Sequence, residues 1–77
     1  MNLKIKYFGL LAEVTKCNEE TVEISESTIS EVLQILFNKY PSLKEKDFQV
    51  VQNNEIVSRE IHITNNEIAL LPPFSGG

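Results

Sequence analysis

Cysteine is almost absent from this 77-residue chain, and Cys17 alone excludes both an internal disulfide and a cysteine cluster for metal. It falls beside Lys16 on an expected turn with no histidine close in sequence, so it reads as an incidental thiol. Histidine is as scarce. His62, between Ile61 and Ile63, has no identifiable carboxylate, nucleophile or second ligand to work with. It therefore reads as a surface or turn residue. There is no phosphate-cradling glycine loop, and no serine–histidine–acid set can be assigned. No apolar run approaches the roughly 18–20 residues that span a bilayer, and no segment has signal-peptide form. Positive charge is also short, with seven Lys plus Arg against eleven Asp plus Glu and a net charge of -4. That balance opposes non-specific binding to nucleic acid or anionic membranes and favours a basic partner surface. Lys39, Lys44 and Lys46 come nearest to a basic patch, but Glu45 and Asp47 interrupt it. These acids, like Glu19 and Glu20, read as solvated by default. The expectation is a cytoplasmic protein with no nucleic-acid or membrane partner and no bound metal or cofactor.

What is present suits one small domain over residues 1–77. A chain of this length buries only about 60–65% of the surface its unfolded form exposes. That allows a single two-layer core, without room for a deep substrate pocket as well, so an autonomous enzyme is hard to fit. Leu3, Ile5 and Tyr7 alternate with polar neighbours and predict a strand over 2–8, closed by Gly9. Residues 10–14 have helical character, and Thr21–Ile24 suggests a strand returning antiparallel. Thr28 with Glu31 has capping-box spacing. Ile29, Val32, Leu33, Leu36, Phe37 and Tyr40 then form the apolar stripe of a helix that Pro41 ends. Leu43 suits a short turn closing one edge of the core. Strands are expected over 48–52 and around Ile56–Val57, separated by an Asn53–Asn54 turn. The run Ile68–Leu71 suits an interior strand that Pro72 and Pro73 stop. The fold class is α+β, a four- or five-stranded sheet covered on one face by the main helix, with the last strand central.

Beyond that strand stands Pro72-Pro73-Phe74-Ser75-Gly76-Gly77, expected to be a flexible reactive tail. Two prolines hold the emerging chain extended and set its direction. Phe74 offers a large apolar ring where a polar tail is usual, suited either to a partner pocket or to folding back on the domain. Ser75 and Gly76 keep the end slender enough for a narrow cleft. Gly77 carries the α-carboxylate, which another enzyme could activate and use as a chemical carrier.

Three segments carry a resemblance over essentially the whole chain. They are Ile5-Lys6-Tyr7-Phe8-Gly9-Leu10-Leu11-Ala12-Glu13-Val14, Val50–Val57, and Asn65-Asn66-Glu67-Ile68-Ala69-Leu70-Leu71 with the tail after it. The chain resembles the ubiquitin-like β-grasp sulfur carriers, most closely the small subunit of molybdopterin synthase. It departs from them where Thr64-Asn65-Asn66-Glu67 replaces an Asp-Gly-Asp-Glu turn, Ala12 an arginine and Lys16 a glycine. Asn65 can still take a left-handed conformation, although at greater cost than glycine. The resemblance implies a chain that is not catalytic alone. An adenylating enzyme related to ubiquitin-activating enzymes, using Mg-ATP, would activate Gly77. A sulfur donor such as a cysteine desulfurase or rhodanese system would convert it to a thiocarboxylate. The large synthase subunit would receive the tail in a heterotetramer, meeting a mainly apolar sheet face with Phe74 at the mouth of its pocket. Sulfur would pass to cyclic pyranopterin monophosphate to build the molybdopterin dithiolene. A carrier for thiamin thiazole or tRNA thiolation, a protein modifier, and a binding module with an inert tail remain alternatives on the residues.

Overall fold

The computed structural model describes residues 1–25 and 27–73. Its elements are β1 (Asn2–Tyr7), α1 (Leu10–Thr15), β2 (Glu19–Glu23), α2 (Ile29–Lys39), a 3₁₀ turn (Pro41–Glu45), β3 (Gln49–Gln52), β4 (Glu55–Val57) and β5 (Glu67–Leu71). The strands form one sheet in the order β2-β1-β5-β3-β4. Only β1 and β5 run parallel, with Ile5 opposite Ile68 and Tyr7 opposite Leu70; the other pairs are antiparallel. The last strand is central, as its unbroken apolar run predicts. Helix α2 covers one face, which makes this a ubiquitin-like β-grasp.

Local chemistry accounts for the boundaries. The Thr28 hydroxyl accepts from the Glu31 N–H at 3.2 Å while the Glu31 carboxylate accepts from the Thr28 N–H at 2.8 Å, so two orphan donors are satisfied at the start of α2. The Thr28 N–H, and then the Thr28 hydroxyl at 3.2 Å from the same carboxylate oxygen, hold the Glu31 carboxyl below its ordinary range. Tyr40, just before Pro41, leaves the helical region at φ -129°. Asn53 and Asn54 both take positive φ, 55° and 63°, as a two-residue hairpin turn between β3 and β4 demands. Lys16 ends α1 in the left-handed conformation at φ 62°. A side chain there costs about 1–2 kcal/mol that glycine would not incur. Asn65 does not use the left-handed conformation open to it. Asn65 instead accepts from the Asn66 N–H with its own Oδ1 and donates Nδ2 to Asn53 Oδ1, both at 2.8 Å. A side-chain turn does the work of a backbone one.

The core lies between α2 and the sheet. Ile29, Val32, Leu33 and Leu36 meet Leu3, Ile5, Val50, Ile68 and Leu70, all 4% exposed or less, and Leu43 closes one edge. Phe37 packs edge-on to Phe48 at 6.2 Å between ring centres. One buried polar side chain extends the sheet's hydrogen bonding. The Gln52 amide donates to the His62 carbonyl at 3.1 Å and accepts from the Thr64 N–H at 3.0 Å, tying the irregular segment before β5 to β3. Gln52→Leu keeps the volume but strands both backbone groups. It should cost about 1–3 kcal/mol, read as a lower urea midpoint with unchanged slope.

Candidate functional site

The β5 strand delivers the tail. Leu71 ends it at the middle of the sheet, and Pro72 and Pro73 follow with both side chains exposed. The Phe8 N–H donates to the Leu70 carbonyl at 3.2 Å, locking the end of β1 to the end of β5. Gly9 then turns at φ 57°, ψ -133°, and a Cβ there would stand 2.9 Å from Pro72 Cγ. Absence of a side chain leaves room for the proline ring at the root of the tail. Phe74, Ser75, Gly76 and Gly77 lie outside the described residues.

The sheet face opposite α2 surrounds that root. Strand alternation puts Lys4, Lys6 and Phe8 there, with Glu67, Ala69 and Leu71 from β5, and Gln49 and Val51 from β3. Directly opposed residues form a row across the sheet: Glu19, Lys6, Ala69, Val51 and Ile56. The row is charged at the β2 end and apolar at the β4 end. A mainly apolar face was expected; it is apolar over only half its width, because Lys4 and Lys6 hold the outward positions of β1. Phe8 at 45% exposure and Ile56 at 63% are unusually open for their size. Lys6 and Phe8 form a ridge between two hollows. One, of about 290 Å³, includes Val51, Asn53, Asn54 and Ala69 in its lining; the other, of about 440 Å³, reaches Gly9, Ala12 and Asn18. Two ion pairs cross the face, Lys6–Glu67 at 3.6 Å and Lys4–Glu19 at 3.5 Å.

Glu20 overturns its expectation as a solvated acid. Its side chain is only 13% exposed, and its carboxylate accepts from Tyr7 Oη at 2.6 Å, Tyr40 Oη at 2.7 Å and Lys39 Nζ at 2.5 Å. The sequence carried a signal, since Glu20 shares its parity with Val22 and Ile24 and so faces the helix. Glu19, one residue earlier, faces outward and is 53% exposed. Burial raises the Glu20 pKa, but the ammonium and the two hydroxyls outweigh it and hold the carboxyl below its ordinary value of 4.5. Burial first, then the Glu20 carboxylate, pushes both tyrosines above their ordinary 10.0. The depressed carboxyl contributes stability above pH 4.5 that is lost as pH falls through its lower folded value. The tyrosines contribute fully below pH 10.0 and lose it as pH rises from there. Melting temperature should therefore decline on both sides of a neutral plateau, and Glu20→Gln should flatten part of the acid limb. An identical acid limb in the variant would remove Glu20 from this role.

His62 is exposed, in an isolated bridge opposite Thr28, and Cys17 is half-buried with its thiol directed at Thr15 Oγ1, 3.7 Å away. Among the described residues no group of three or more His, Cys, Asp or Glu side chains could hold a metal, and no helix is long and apolar enough to cross a membrane.

A β-grasp domain whose central strand hands over to Pro72 and Pro73 has the architecture of a ubiquitin-like carrier domain. The chain belongs to the ThiS family, whose profile matches residues 5–77, the tail included. It is 31% identical to the molybdopterin synthase sulfur carrier subunit of Caenorhabditis briggsae, with 100% of this chain and 99% of that protein covered. The same subunit from Chlamydomonas reinhardtii is also 31% identical, with complete coverage of both. Among solved structures, SAMP1 from Haloferax volcanii superposes with a TM-score of 0.81 at 26% identity, covering 100% of each chain. A Pyrococcus furiosus candidate for molybdopterin converting factor subunit 1 superposes at 0.86 over 95% of this chain and 98% of its own; at 19% identity that likeness speaks for the fold alone.

Proposed function

We propose that this chain is the sulfur-carrying small subunit of a molybdopterin synthase, with the Gly77 carboxylate as the atom-transfer site. The observation that carries the reading is the match of family and curated relatives along the full chain through its Gly-Gly end. An adenylating enzyme joins the Gly77 carboxylate to AMP from Mg-ATP, releasing pyrophosphate and making a poor electrophile reactive. The outer sulfur of a donor persulfide displaces AMP, and a thiol then cleaves the resulting acyl disulfide reductively, forming a disulfide with the donor and leaving a thiocarboxylate. The large subunit then takes the tail, the sulfur attacks the pterin precursor, and hydrolysis of the acyl link restores Gly77. The chain supplies no acid or base to these steps; its part is to present the terminus on a stalk of fixed root and narrow tip.

The exposed apolar half of the sheet supports docking next to that root. Phe8, Val51, Ile56, Ala69 and Leu71 lie on the face from which β5 hands over to Pro72. Covering them as the tail enters a cleft removes apolar surface from water. The test is reconstitution: the charged carrier mixed with the large subunit and the cyclic pterin precursor should yield molybdopterin. A carrier that forms the thiocarboxylate yet supports only thiazole synthesis or tRNA thiolation would overturn the assignment to molybdopterin.

A further inference from the structure

Lys6 is the one cation in the row that crosses the docking face, and it stands where the charged and apolar halves meet. Its direct neighbours are Glu19 on β2 and Ala69 on β5; beyond Ala69 come Val51 and Ile56. It borders both hollows. Its ammonium is 3.6 Å from the Glu67 carboxylate, and the two side chains are 38% and 44% exposed. A pair this open adds almost nothing to the fold, because water screens it and ordering two long side chains offsets the attraction. Stability alone gives no reason for a cation at this position.

Resting on the reading of the chain as a synthase carrier, we propose that Lys6 and Glu67 form a recognition pair that is covered intact when the large subunit docks. Lys6 is directly opposite Ala69, and Ala69 shares its face with Leu71, the last strand residue before the stalk. A partner that swallows the tail and covers Leu71, Ala69 and Val51 also closes over Lys6. Once water is excluded, attraction within the pair strengthens, and either charge left alone becomes expensive. The pair thus selects a partner patch that is uncharged opposite it. A second cation would be repelled by Lys6, and a carboxylate would compete with Glu67 or be repelled by it.

The experiment is calorimetric titration of the purified large subunit with the unsubstituted carrier, Lys6→Met, Glu67→Gln, the double variant, and Lys44→Met, on the exposed 3₁₀ turn away from this face, as a control on net charge. Each single change at the recognition pair should weaken binding by about 10–100-fold, since it leaves one covered charge unmatched. The double variant should return to within about threefold of the original, because a neutral pair of similar volume roughly matches a buried ion pair. Lys44→Met should bind unchanged, and all variants should melt within a few degrees of one another. Singles that bind like the unsubstituted chain would show the pair still in water. A double variant as weak as the two singles combined would show each residue meeting its own group on the partner. Equal weakening by Lys44→Met would make the effect one of net charge. Each of those three results overturns the pair while leaving the carrier reading intact. No binding by the unsubstituted chain overturns both.

Discussion

Deleting Gly77 is expected to abolish thiocarboxylate formation completely while the thermal transition stays where it was. Intact-protein mass spectrometry after incubation with the adenylating enzyme, Mg-ATP and a sulfur donor should find one terminal oxygen replaced by sulfur in the full chain, localised to Gly77 by fragmentation. The truncated chain should show no replacement. Its new carboxylate, on Gly76, stops one residue short, and a displacement of roughly 3.5 Å is far outside the tolerance of a reacting geometry. The fold should not notice, because every buried apolar residue among those described lies between Leu3 and Leu70. Sulfur delivered to the pterin by the truncated chain would defeat the central functional claim. A lowered melting temperature in that chain would show that the tail packs on the domain.

Leu36→Ala is expected to have the largest effect on folding. Leu36 is 0% exposed, on the stripe by which α2 meets the sheet, and truncation removes its packing and leaves a cavity. The cost should be about 2–5 kcal/mol. A domain of this length has roughly 4–12 kcal/mol in total, so the variant should melt some 10–30 °C lower and be partly unfolded when warm. Ile35→Ala, next to it but 42% exposed, should shift melting by only a few degrees. Circular dichroism on the pair decides the matter. Equal shifts for the two would mean that α2 does not cover the sheet as described.

The chemistry assigned to this chain was legible in residues that need no fold to be read. Gly76 and Gly77 follow a Pro-Pro stop, and the scarcity of histidine and cysteine is what directs the proposal to the Gly77 carboxylate. The helix, its capping box and the two-residue turn at Asn53–Asn54 were legible as well, because each depends on neighbours within a few positions. The role of Glu20 was not. Its three donors come from β1, the last turn of α2 and its cap, 13 to 20 residues away in the chain. Parity could suggest which way it pointed, but only packing could bring Tyr7, Lys39 and Tyr40 to it. The form of the turn at Asn65 was not legible for a related reason: Asn53, its partner across the fold, made a side-chain turn possible without a left-handed backbone.

The sequence by itself determined the element order and the central place of the last strand, since these follow from short-range periodicity and turn chemistry. Only the tertiary structure decided how the open face divides. Strand order sets β1 between β2 and β5, and register puts Lys6 beside Ala69 and Val51 beside Ile56. Those pairings join residues up to 63 positions apart. The free energy that selects them comes from burying the opposite face under α2, and the outward face inherits its pattern of charge and apolar surface from that choice.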